Sequence, residues 1–169
     1  MTLAPILNAA PIIQIHVAAA VIGILIGPLA LYWRQGTRLH KTAGYIWVST
    51  MAVLALSSFG IHSFAVIGPF SPLHGLALFT LWSLYEGVRR ARAGEIAIHL
   101  RVFRSLYWLG VMAAGLFNFL PGRVINRTVI PETPELGYVL IAFGLGIAMF
   151  LVLRPWLQAF WRRYALRTQ

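Results

Sequence analysis

Apolar residues run almost unbroken through five stretches of this chain, 10–33, 43–67, 72–88, 102–120 and 136–153, and basic residues gather between them. A helix needs about 20 residues, at about 1.5 Å rise each, to cross a hydrocarbon core of about 30 Å. The third and fifth stretches are short, which predicts little tilt or ends beyond these limits. None alternates polar with apolar, so barrel strands are disfavoured. The expected fold is all-α, a polytopic transmembrane helix bundle of about five spans, four forming a core and one packed outside it. Composition agrees: 59 % of the 169 residues are hydrophobic and 11 % charged, against about 45–50 % and about 25 % in soluble domains. A soluble domain of this size lacks the interior to hide so much apolar surface. No repeat, linker or low-complexity run appears, so 1–169 reads as a single integral-membrane domain.

Charge sets the expected orientation. The first loop holds Arg34, Arg38 and Lys41, and the second, 68–71, has no charge. The third holds Arg89, Arg90, Arg92 and Arg101 with Glu95. In the fourth, Arg123 and Arg127 are balanced by Glu132 and Glu135. The tail carries Arg154, Arg162, Arg163 and Arg167. Lys and Arg stay on the cytoplasmic side, so the N-terminus is expected outside and the C-terminus inside a bacterial cytoplasmic (inner) membrane. The first span is too long, and too poor in preceding basic residues, for a cleavable signal. Pro155 ends the fifth span, and 155–166 reads as an amphipathic helix on the inner interface. The net charge of +10 then suits anionic headgroups rather than nucleic acid. With no cysteine, thiol chemistry, iron–sulfur ligation and disulfides are excluded.

Five histidines carry what chemistry the sequence offers, because ionisable groups inside a membrane are costly and usually functional. Counted from the outer helix ends, His16, His62 and His74 lie at depths differing by about 6 Å. His40 and His99 sit at the inner face among Arg38, Lys41, Arg101 and Arg104. His16, Ala20, Gly23 and Gly27 share one stripe of the first span, which permits close helix approach or room for a flat macrocycle.

Three chemistries fit this pattern. Haem b would take His16 with His74 outside and His40 with His99 inside, since helix bundles hold cofactors between facing side chains. Arg123 and Arg38 could meet its propionates, leaving His62 as a substrate or proton partner. Zinc or copper could be held by His16, His62 and His74, although no carboxylate or thiolate supports them. A quinone or proton site needs only imidazole, which titrates near neutrality and hydrogen-bonds a carbonyl. The plain structural alternative is that these histidines bridge helices or sit at headgroup level, with no cofactor at all. Glu86 with Arg89 and Arg90 reads as a surface ion pair, and Asn126-Arg127-Thr128 fits an N-glycosylation pattern.

The stretch Gly36-Thr37-Arg38-Leu39-His40-Lys41-Thr42-Ala43-Gly44 matches a G-x(3)-H-[RK]-x-x-G element. Ser71-Pro72-Leu73-His74-Gly75, His99, Pro121-Gly122-Arg123 and His16 accompany it. Together they resemble a widespread family of small predicted bacterial membrane proteins of unknown function, over roughly residues 10–125. That resemblance implies fold and topology but no activity. A looser architectural likeness is to cytochrome b561, in which four helices carry two haems in the same alternation. The expected function is haem-b or quinone-linked transmembrane electron transfer. The alternative is a non-catalytic accessory or assembly subunit of a larger membrane complex, whose small-residue stripes would be protein contacts.

Overall fold

The computed structural model describes residues 3–61, 71–147 and 149–150. The described residues are helical with no strand. A short α1, Ala4–Leu7, precedes α2, Pro11–Tyr32; then come α3, Arg38–Ser58, and α4, Pro72–Arg92. Next, α5, Ile96–Ser105, continues through a π-helical segment, Leu106–Met112, into α6, Ala113–Phe117. The chain divides into two compact units, Leu3–Gly115 and the part beginning at Leu116.

In the first unit the helices pack in chain order. α2 lies against α3, α3 against α4 and α4 against α5, and the π segment closes back on α2 and α4. Each helix turns one stripe inward. That stripe is Ala19, Gly23, Gly27 and Leu31 on α2, and Ala43, Trp47, Met51 and Ala55 on α3. Trp47 and Leu106 are wholly buried. Trp47 packs edge-on against Phe103 of α5, ring centres 5.3 Å apart, and donates from Nε1 to the Gly23 carbonyl at 3.1 Å.

Many large apolar side chains face outward. Leu25, Leu56, Leu78 and Leu109, one on each helical path, are 71, 60, 61 and 64 % exposed, while Ser57, His74, Thr80 and Ser83 are buried. Water would not tolerate this distribution and lipid requires it. α2 and the continuous helix Ile96–Phe117 are each 22 residues long and apolar enough to cross a bilayer, and only 17 % and 29 % of them is buried.

Pro28 lies inside α2. It has no N–H, so the Ile24 carbonyl loses its intrahelical donor. Tyr107, in the π segment, supplies the replacement: its hydroxyl donates to Ile24 O at 3.0 Å. Neighbouring helices commonly re-satisfy such carbonyls in membrane proteins. Gly27 makes the approach possible, because a Cβ there would collide with the Tyr107 ring.

Several expected boundaries move. α3 begins at Arg38 rather than 43, because Thr37 caps it by accepting the His40 N–H at 3.2 Å. It ends at Ser58 rather than 67. His40 therefore lies in the first turn of α3, not before it. His99 lies inside α5, which starts at Ile96 rather than 102. α4 continues past 88 to Arg92. The fourth span stops at Phe117, and Arg123 immediately precedes a separate helix, α7, Val124–Val129, which the sequence reading took for loop. The expected 155–166 interfacial helix and the end of the 136–153 span lie outside the described residues.

In the second unit α7 and α8, Leu136–Ile147, are organised by Asn126. It is fully buried, and its Nδ2 donates to the carbonyls of Phe119 at 2.7 Å and Pro134 at 2.9 Å. The glycosylation reading of Asn126 is thereby corrected: its amide is spent inside the fold. Thr128 is buried too, donating to Val124 O at 2.8 Å.

Candidate functional site

α2 runs toward the end where α3 begins, and α4 toward the end where α5 begins, so His16 and His74 lie at one end of the first unit. Both meet the last turn of α3. His16, half-buried, has Nδ1 3.0 Å from Ser57 Oγ. Ser57 spends its one hydroxyl proton on Leu54 O at 3.0 Å. It can therefore only accept from His16, so the neutral His16 ring carries its proton on Nδ1 and keeps a lone pair on Nε2.

His74 is the reverse. It is buried, with its ring 5.7 Å from that of Phe59. Ser71 precedes α4 and its backbone N–H donates to His74 Nδ1 at 3.0 Å; Ser71 Oγ lies 2.9 Å from the same nitrogen. A backbone N–H only donates, so Nδ1 accepts and the neutral ring holds its proton on Nε2. This is a capping box with histidine in the place usually held by Glu or Gln. The two histidines thus differ in tautomer.

The opposite end holds His40 and His99. His99 Nδ1 lies 2.9 Å from the Gly87 carbonyl, which makes Nδ1 the donor and leaves the Nε2 lone pair. Its ring packs edge-on against Phe103 at 4.8 Å. His40 Nδ1 is buried and has no hydrogen-bond partner among the described residues. Nearby on the same end of α4, Glu86 binds Arg89 through two bonds of 2.8 Å and Arg90 at 2.6 Å. Arg90 also pairs with Glu95, so the expected surface ion pair is a four-residue cluster. Arg104, on α5, stacks over the Tyr32 ring at 4.9 Å.

His62 lies outside the described residues, and with it the zinc or copper triad of His16, His62 and His74. Among the described residues no three metal-ligating side chains come together. Arg123 belongs to the second unit. The sequence reading missed the residues that orient the histidines, Ser57, Ser71 and Gly87. Only Ser71 had left a signal, in its capping-box spacing to His74.

A helical unit that exposes many large apolar side chains, with two helices long and apolar enough to cross a bilayer, is of the all-helical class that suits a membrane. Residues 13–155 match a family described as predicted membrane protein (DUF2306), and the chain belongs to that family. No curated protein and no solved structure matches it.

Proposed function

We propose that this chain is a multi-pass protein of the bacterial cytoplasmic membrane, one membrane domain with its N-terminus outside. In this reading its outer end binds a quinone-type ring in service of transmembrane electron transfer. The observation that carries the reading is the opposite tautomers of His16 and His74 beside the α3 C-terminus. The His16 Nε2 lone pair suits the hydroxyl of the reduced ring. Phe59 adds an aromatic face beside His74.

Haem b at that end asks both imidazoles to turn a lone pair to one iron, and ligating histidines donate their other ring N–H. His16 fits that requirement and His74 does not. The small-residue stripe of α2 is filled by Tyr107 and Trp47 rather than left open for a macrocycle. Both observations favour the quinone arm.

The test is full-length protein purified in detergent from haem- and quinone-replete cells, with quinone and haem quantified per chain. Stoichiometric quinone, lost on His74→Phe, and no reduced α-band is the expected result. A sharp α-band lost on His16→Leu would overturn it in favour of haem. Protein free of both, whose His16→Ala/His74→Ala form lowers only the accumulation of a partner complex, would support the accessory-subunit alternative.

One observation favours a second reading at the inner end. The His99 Nδ1–H bound to a backbone carbonyl is the usual state of a metal- or haem-ligating imidazole. His40, whose buried Nδ1 has no hydrogen-bond partner among the described residues, is the companion ligand on that reading.

A further inference from the structure

A groove of about 490 Å³ runs along the outside of the first unit, between α3 and α4. Val48 and Ala52 of α3 face Leu81, Leu84 and Val88 of α4 along its floor, and Arg89 and Arg92 stand at one end. From Leu81 to Arg92 is eleven residues of helix, or about 16 Å at the usual rise. Half of a hydrocarbon core of about 30 Å is about 15 Å. On the multi-pass reading the groove is therefore about one leaflet deep, apolar along its length and cationic at one end.

The two arginines differ. Arg89 is held by both oxygens of Glu86, whereas Arg92 is exposed and has no carboxylate partner among the described residues. The Glu86, Glu95, Arg89 and Arg90 cluster sums to zero charge, so Arg92 supplies the uncompensated positive charge at the groove mouth.

We propose that this groove binds an anionic phospholipid of the cytoplasmic leaflet, one acyl chain along Val48, Ala52 and Leu84 and the phosphate on Arg92. The site rests on the multi-pass reading and is independent of the histidine chemistry. Basic pockets between helices on the cytoplasmic side suit anionic headgroups on general electrostatic grounds.

The experiment reconstitutes the full chain in vesicles of equal parts phosphatidylglycerol and phosphatidylcholine. Lipid retained after gentle extraction is then read by native mass spectrometry. Wild type is expected to retain phosphatidylglycerol over phosphatidylcholine by about fivefold, the worth of one basic residue at an anionic surface. Arg92→Gln is expected to bring that ratio to unity, and Arg92→Lys to preserve it. Ala52→Phe, which fills the groove, is expected to lower retention of both lipids. Equal retention by wild type, or an unchanged ratio in Arg92→Gln, overturns the proposal. So does displacement of the lipid by added quinone, which would make quinone the occupant, or by millimolar inorganic phosphate, which would make the site one for a free anion. Flotation of the vesicles separates the two readings. A chain that fails to insert sinks the membrane reading itself, and one that inserts without discriminating sinks only the lipid site.

Discussion

The Tyr107 hydroxyl donates to the Ile24 carbonyl at 3.0 Å, the carbonyl that Pro28 leaves without its helical donor. The bond joins the π segment to α2. Tyr107→Phe removes the donor and strands a carbonyl with no water at hand. The expected cost is about 1–3 kcal/mol. Pro28→Ala restores an N–H to position 28, so in that background Tyr107→Phe is expected to cost little. Thermal unfolding of the four proteins in detergent, read as a double-mutant cycle, checks the coupling. Additive effects would show that Tyr107 does not serve this carbonyl.

Gly27 is the space that Tyr107 occupies. A Cβ at position 27 would meet the Tyr107 ring and come within 3.1 Å of Trp47 Nε1. Both are large ring side chains in the core, with little freedom to yield. Gly27→Ala is expected to destabilise by about 1–3 kcal/mol through overpacking. Gly44 on α3 is the control, since nothing lies within 4 Å of a Cβ there. Gly44→Ala is expected to be neutral or stabilising by up to about 1 kcal/mol from helix propensity. Melting temperatures of the two variants should move in opposite directions, or one should fall while the other holds.

Ser57 is the side-chain partner of His16 Nδ1. Ser57→Ala removes the acceptor of the His16 Nδ1–H bond, at an expected cost of about 1 kcal/mol. Retention of quinone by the purified protein is expected to fall while helix content by circular dichroism stays. Ser57→Thr keeps the hydroxyl and is expected to keep the ligand. Equal retention by Ser57→Ala and wild type would mean that His16 has no part in the site.

In the second unit Gly137 and Asn126 form a comparable close contact. A Cβ on Gly137 would overlap the Phe119 carbonyl and lie 2.7 Å from Asn126 Nδ2. Here the obstacle is backbone, which cannot rotate away. Gly137→Ala and Asn126→Ala each disrupt the bond from Nδ2 to Phe119 O, and each is expected to cost about 2 kcal/mol. Because they break the same contact, the double variant should lose much less than the sum. Additive losses would separate the two roles.

How much of this was legible in the sequence depends on what sets each feature. The first long helix was, because its apolar run is almost unbroken: α2 departs by one residue at either end from the expected 10–33, whereas α3, α4 and α5 depart further. The start of α3 was not, because Arg38, His40 and Lys41 hide it in a polar run and the Thr37 cap is a single-residue signal. The π segment has no period of its own to read, and α7 is shorter than two turns. The grouping of His16 with His74 at one end followed from topology alone. Their tautomers did not, because these depend on where the Ser57 proton goes and which group reaches Nδ1 of His74. Such partners belong to packing, and only Ser71 was close enough in sequence to be seen.

The proposed orientation rests on loop charge and can be tested directly because the chain has no cysteine. Gln35 is exposed between α2 and α3, in the loop that contains Arg34. Glu132 is exposed on the other expected side, before α8. The basic residues beside Gln35 and the balanced charges beside Glu132 predict opposite compartments. In spheroplasts, Glu132→Cys is expected to react with a membrane-impermeant maleimide at once, and Gln35→Cys only after permeabilisation. The reverse pattern would invert the topology and put the groove end at Arg92 in the outer leaflet. Labelling of both without permeabilisation would mean an even number of crossings between the two positions. The four-helix unit could not then cross as four consecutive spans.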